Sequence, residues 1–215
     1  MATLVLCVTV CARQQPSKNN SSQPPKKTGY GLKGGVNFAN VTNTSSINSE
    51  SRTGFMVAGF LSPQFSGGQG FRTEIVFSQQ GYNYSTNTNE GNVKLNYLQF
   101  PQLYTFNLGK VLQLQVGGQF SFLLNAVVDS LHTVTGSNAY QKASEYYNKF
   151  DYGLAAGFEL YPTKGLLIGA RYNLSFAKTY DEDEYEPGLP LPPFVPPPGT
   201  NGKNNVVSLF AGFRF

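Results

Sequence analysis

Tryptophan is absent from this sequence, histidine occurs once, at His132, and cysteine twice, at Cys7 and Cys11. Charged residues make up only 13% of the chain, about half the share usual in a globular protein. No apolar run approaches the roughly 20 residues of a membrane-spanning helix; the longest, Leu4–Ala12, is much shorter. Each shortage excludes something. One His leaves little material for the positioned base of a protease, phospholipase or acyltransferase. Scarce Lys and Glu leave a water-facing surface without its usual cover. The net charge is +4, yet the basic residues are scattered and form no stripe interleaved with aromatic rings, so nucleic acid is not expected as a partner.

What is abundant is Gly (23), Phe (17) and Tyr (13). The start, "MATLVLCVTVCARQQPSKNN", reads as a short export signal, with an apolar core and then Val10 and Ala12 at a small-residue cleavage site. The charged n-region of such signals is missing, as it would be if the true start codon lay upstream. Two other readings stay open: a buried first strand, or a lipid anchor on Cys11, for which Val10 is a poor preceding residue. Cleavage after Ala12 would remove both cysteines, and with them any disulfide or Cys-based metal site. The expected division is a signal over 1–12, a flexible periplasmic linker over 13–29 ("RQQPSKNNSSQPPKKTG") and a barrel domain over 30–215.

From Tyr30 onward, apolar and polar residues alternate in segments separated by turn-rich gaps. The alternation predicts eight strands, over Tyr30–Val41, Gly54–Gln64, Phe71–Tyr84, Val93–Phe106, Val111–Ala126, Lys149–Tyr161, Leu166–Phe176 and Asn205–Phe215. Pro101 demotes the fourth locally or marks a bulge. "SNAYQKASEYYNK" is a candidate short loop helix. The gaps alternate in length: Thr42–Thr53, Ser85–Asn92, Val127–Asn148 and Ala177–Asn204 are long, whereas Phe65–Gly70, Asn107–Lys110 and Pro162–Gly165 are short. In an up-and-down barrel this gathers the long loops at one end and the tight turns at the other, as in transmembrane barrels with short periplasmic turns.

The two faces choose between a soluble and a membrane barrel. One face is apolar and uncharged in nearly every strand, as in Tyr30, Leu32, Val36 and Phe38 or Leu112, Leu114, Val116, Phe120, Phe122 and Leu124. The opposite face is rich in Gly, Ser, Asn and Gln, which suits a crowded lumen better than a soluble exterior. About ten tilted residues cross a ~25 Å apolar band. The apolar face is therefore expected to meet lipid. The fold class expected is all-β: an eight-stranded antiparallel up-and-down transmembrane barrel. The closing "NNVVSLFAGFRF" reads as the assembly signal of such barrels, carried by Phe213 and Phe215.

By strand parity Lys33, Arg72, Glu74, Asp151, Glu159, Arg171 and Arg214 point inward. With a periplasmic N-terminus, Arg171 falls near mid-height, Asp151 toward the outside, and the other five toward the periplasm. Unpaired charges there are costly, so Arg–carboxylate pairs forming a plug are expected. His132, with Asp129 and Ser130 nearby in sequence, reads as a solvated loop residue rather than a triad. The acidic run Asp181, Glu182, Asp183, Glu184 and Glu186 lacks the Gly and spacing of a Ca²⁺ loop. It adjoins "PGLPLPPFVPPPG", a stiff polyproline segment, and together they form a candidate recognition surface. No catalysis, cofactor or metal is expected.

"GYGLKGGVNFANV", "RTEIVFSQQG", "LNYLQFPQLYTF", "FDYGLAAGFELYP", "LLIGARYNLSF" and "LFAGFRF" resemble the PorT-like outer-membrane barrel family of Bacteroidetes-type bacteria. The resemblance covers Tyr30–Phe215, loops excepted; Gln99 stands where an acidic residue is common. It implies an eight-stranded barrel in the outer membrane of a Gram-negative bacterium and no particular reaction. The expected partners are outer-membrane lipid and lipopolysaccharide, the barrel assembly machinery, and an unidentified extracellular or envelope protein; a monomer is expected. The expected function is structural or interactive, with a plugged lumen. The alternative is a narrow channel or an accessory of an outer-membrane secretion system, the task of the family's founding members.

Overall fold

Alternation of apolar and polar side chains has period two, the period at which a strand presents opposite faces, and the chain folds accordingly. The computed structural model describes residues 28–42, 48–63, 68–85, 90–130, 146–180 and 202–215. They form β1 (Thr28–Thr42), β2 (Asn48–Pro63), β3 (Gln69–Ser85), β4 (Glu90–Leu108), β5 (Leu112–Ser130), β6 (Phe150–Leu160), β7 (Leu166–Ser175) and β8 (Lys203–Arg214). Every strand pairs antiparallel with its sequence neighbour, and β1 pairs with β8, so the sheet closes into a barrel. Closure leaves no unpaired sheet edge, the condition for surviving in hydrocarbon.

Outward positions carry no charge along the described strands except toward their outer ends, where Lys94 of β4 faces out beside Val127. Phe55, Ile75, Leu114, Val116, Phe158, Ile168 and Leu209 are exposed there. Aromatic rings gather toward each end. On one side Phe100 stacks on Phe120 at 5.2 Å, and Phe122 meets Phe150 at 5.4 Å. Toward the short turns Tyr104 meets Phe106 at 4.6 Å and Tyr30 stacks on Phe215 at 5.5 Å. Rings of this kind suit the two interfaces of a membrane. The turn after β6 needs glycine: Gly165 has φ 88°, and a Cβ there would sit 2.5 Å from the Phe213 ring.

Four strands run farther than their apolar pattern. β2 starts at Asn48, β3 ends at Ser85, β4 starts at Glu90 and β5 continues to Ser130, all beyond the expected ends. Pairing continues there through Ser49↔Tyr84, Tyr84↔Gly91 and Gly91↔Ser130. Hydrophobic alternation stops where a strand leaves lipid, but backbone pairing does not. β6 and β7 are only 11 and 10 residues long, so the wall is tall on one side and low on the other. β1 also takes in Thr28 and Gly29, which the sequence assigned to the linker.

Pro101 weakens β4 locally, as the sequence suggested, but marks no bulge. It neither ends the strand nor shifts its register, and it lies buried within it. The β3–β4 pairing steps from Thr73↔Gln102 to Val76↔Gln99 around it, as expected of a residue with no N–H to give. Register shifts sit elsewhere, one between Ser51 and Met56 in the β2–β3 pairing and one in β5. Pairing passes from Asn96↔Asn125 to Tyr97↔Leu123, so Leu124 is the extra residue. It inverts the parity of β5, and Ala126 and Val128 turn inward. The candidate loop helix falls largely outside the described residues.

Candidate functional site

The lumen is filled by three layers. Nearest the short turns, Lys33 of β1, Arg72 and Glu74 of β3, Glu159 of β6 and Arg171 of β7 converge, all 4% exposed or less. Each is delivered by the inward parity of its strand. Arg171 grips Glu74 with two nitrogens, at 2.7 and 2.9 Å, a forked geometry that a Lys cannot reproduce. Arg72 bonds Glu159 at 2.5 Å. Lys33 lies between both carboxylates, 2.7 Å from Glu74 and 3.4 Å from Glu159. Neutral donors and acceptors complete the shell. Arg72 also donates to Gln113 and to Tyr161, each at 2.9 Å, and Arg171 to Gln115 at 2.8 Å. Tyr161 donates to Glu159 at 2.7 Å.

Three cations meet two carboxylates in this layer, so it holds one positive charge too many. The aromatic faces of Phe60 and Phe210 take up the excess. Lys33 Nζ lies 4.2 Å from the Phe210 centroid, and the Arg72 guanidinium 4.4 Å from that of Phe60. Arg72 Nε and Arg171 Nε have no hydrogen-bond acceptor, which fits guanidinium groups lying over rings. Desolvated cations gain about 2 kcal/mol or more from such contacts.

The middle layer is neutral and polar. Asn37 donates to Ser78 at 2.9 Å and accepts from Ser208 at 2.8 Å. Gln80 donates to Ser78 at 2.9 Å and accepts from Asn204. Gln99 donates to Ser121 at 3.4 Å. A cavity of about 10 Å³ remains between this layer and Arg171, too small for more than one water. Above it, at the long-loop end, Val41, Tyr82, Val93, Leu95, Tyr97, Ala126, Val128, Tyr147 and Tyr180 pack as an apolar cap. Tyr82 and Tyr147 share a hydroxyl hydrogen bond of 2.8 Å. Tyr147 and Tyr180 form an isolated bridge, and the Asn148 side chain donates to the Lys178 and Tyr180 carbonyls at 2.8 and 3.1 Å.

Five of the seven expected lumen charges are thus brought together. Asp151 is not among them; it is half-buried and accepts from Ser175 at 2.5 Å. Arg214 lies at the short-turn mouth, over Gly29. Sequence reasoning missed Gln113 and Gln115, although their alternation with leucines in "LQLQV" was visible. It also missed the aromatic content of the lumen, where mostly small polar residues were expected. Phe60 and Phe210 had the right parity; Tyr147 and Tyr180 flank strands and have none. Asp129 lies at the outer end of β5 and Ser130 closes that strand. His132, Asp181, Glu182, Asp183, Glu184 and Glu186 fall outside the described residues. Phe213 and Phe215 pack at 5.2 Å, and the Phe215 amide donates to the Tyr30 carbonyl at 2.8 Å across the β1–β8 seam.

Residues 14–181 match the family described as outer membrane protein beta-barrel domain. The chain belongs to that family. Its closed sheet and apolar outer wall are those of a barrel resident in the outer membrane. Among solved structures it is similar to Ail, the attachment invasion locus protein of Yersinia pestis, at 15% identity, TM-score 0.48, over 88% of this chain and 99% of that one. A structure of Ail with the heparin analogue sucrose octasulfate aligns at 14% identity and TM-score 0.49, over 88% and 99%. Neisserial surface protein A aligns at 16% identity and TM-score 0.46, over 86% and 95%. Nothing about function passes across likenesses so distant. None of the curated proteins matches the sequence.

Proposed function

We propose that this small outer-membrane barrel is a closed, non-enzymatic scaffold that acts through contacts outside its lumen, chiefly at its long loops. The observation that carries this reading is the filled lumen: among the described residues, a buried ion network, a polar layer and a tyrosine cap enclose a cavity of about 10 Å³. An eight-stranded barrel is just wide enough for side chains to fill. The wall faces lipid, so free surface is found at the ends.

The quoted motifs support a PorT-like affiliation within the family, and with it a Bacteroidetes-type source, a cleaved signal and assembly by the barrel machinery as a monomer. Lys149, Lys178 and Lys203 stand at the outer ends of β6, β7 and β8, near Phe150 and Phe176. This supports contact with lipopolysaccharide phosphates. The Asp181–Glu186 run and the proline segment after it are the proposed protein-binding surface. Tyr180 belongs to the cap, so the test replaces residues 181–198 with a short Gly/Ser turn. Cross-linking in intact cells is expected to lose its partner while the barrel stays heat-modifiable. Retention of every cross-link would count against the loop. Liposomes carrying the protein are expected to stay impermeable to small sugars; rapid swelling would sink the scaffold reading.

A further inference from the structure

The barrel is electrically lopsided. Apart from Glu74 and Glu159, both consumed by buried ion pairs, no acidic residue among the described ones belongs to the periplasmic half. Glu50, Glu90, Asp129 and Asp151 lie in the outer parts of their strands, and the remaining acids fall in the long connections. At the short-turn end the barrel opens into a bowl of about 670 Å³. Lys110 from the β4–β5 turn, Lys164 from the β6–β7 turn and Arg214 at the end of β8 all line it. Tyr161 also lines it, and its hydroxyl is bonded to Arg72 and Glu159 of the network with the surplus positive charge. Low-dielectric walls focus such a field outward through the mouth. The residues that precede β1 in this sequence include Arg13, Lys18, Lys26 and Lys27 and no acid, so this segment has the wrong sign to complement the bowl.

We infer that the periplasmic mouth is a binding site for an acidic peptide segment of a periplasmic partner. The sign of the field requires an anion. The lining chooses the kind: Val111, Leu112, Pro162 and the Tyr161 ring stand beside the two lysines, and apolar surface is of use to a peptide but not to a bare phosphate. A volume of this size accommodates a few residues. The lining comes from all three short turns and the end of β8, so the bowl is framed by the strand ends and set apart from the lipid-facing wall. This periplasmic contact is separate from the proposed outer-loop surface, so either can fail without the other.

The test uses the full chain in nanodiscs and a fluorescein-labelled hexapeptide, Glu-Ala-Glu-Leu-Glu-Gly. Saturable binding that weakens with salt is expected. The double variant Lys110→Gln/Lys164→Gln should weaken it about tenfold or more, while Lys149→Gln/Lys178→Gln at the outer end leaves it unchanged. All variants are first checked for heat-modifiable migration, which substitutions in exposed turns should preserve. No saturable binding at low salt would overturn the inference, as would equal loss in the outer-end variant. Displacement of the peptide by inorganic pyrophosphate at equal concentration would also overturn it, since the mouth would then be a generic anion sink.

Discussion

The two ends of the lumen are closed by opposite chemistries. Toward the periplasm, closure is chiefly electrostatic: five buried charges hold one another across four strands, packed against an apolar cluster of Met56, Ala58, Phe60, Val76, Leu167 and Phe210. Toward the outside it is apolar, with tyrosines contributed partly by the segments flanking β6 and β7. The first closure is specific and brittle, because each charge depends on named partners. The second is tolerant, because trimming one apolar group forfeits only the area that group buries. Their responses to substitution should therefore differ in size.

The largest effect is expected from Glu74→Ala. It strands Arg171 in the lumen and leaves Lys33 only its longer contact with Glu159, and breaking a buried pair by removing one partner costs about 3–5 kcal/mol. The midpoint of urea unfolding in detergent should fall sharply, with Gln at position 74 recovering part of the loss through hydrogen bonding. At the other end, Tyr82→Phe removes the hydroxyl that bonds Tyr147 in the cap and should cost about 1–2 kcal/mol by the same measurement. If the two substitutions cost the same, the contrast between the ends is wrong.

The seam should respond less. Phe215→Ala removes the stack on Tyr30, and such pairs contribute about 0.5–1.5 kcal/mol beyond area burial. Smallest of all is the exchange of residues 181–198 for a Gly/Ser turn that leaves Tyr180 in place. Shortening a loop changes closure entropy only slowly with length, so the unfolding midpoint should shift by less than about 1 kcal/mol. Extending the same deletion to include Tyr180 should add a further, measurable loss, because Tyr180 packs in the buried cap. That step of one residue separates loop from cap.

What was legible in the sequence follows the same division. Period-two alternation identified all eight strands, and parity turned Lys33, Arg72, Glu74, Glu159 and Arg171 inward, because a charge that cannot face lipid has one remaining direction. The outer ends of β2 to β5 were not legible: "NSESR" and "NEGN" show no apolar alternation. The bulge at Leu124 was hidden because Leu, Leu and Val around it suit either face. Tyr147 and Tyr180 act through tertiary packing from outside strands, where period two says nothing.

Planar-bilayer recording of the purified full chain bears most directly on the claim that side chains close the lumen from end to end. The account predicts a silent bilayer under applied voltage, for the protein as it stands and for the variant lacking residues 181–198. A stable pore of nanosiemens conductance in either would contradict it.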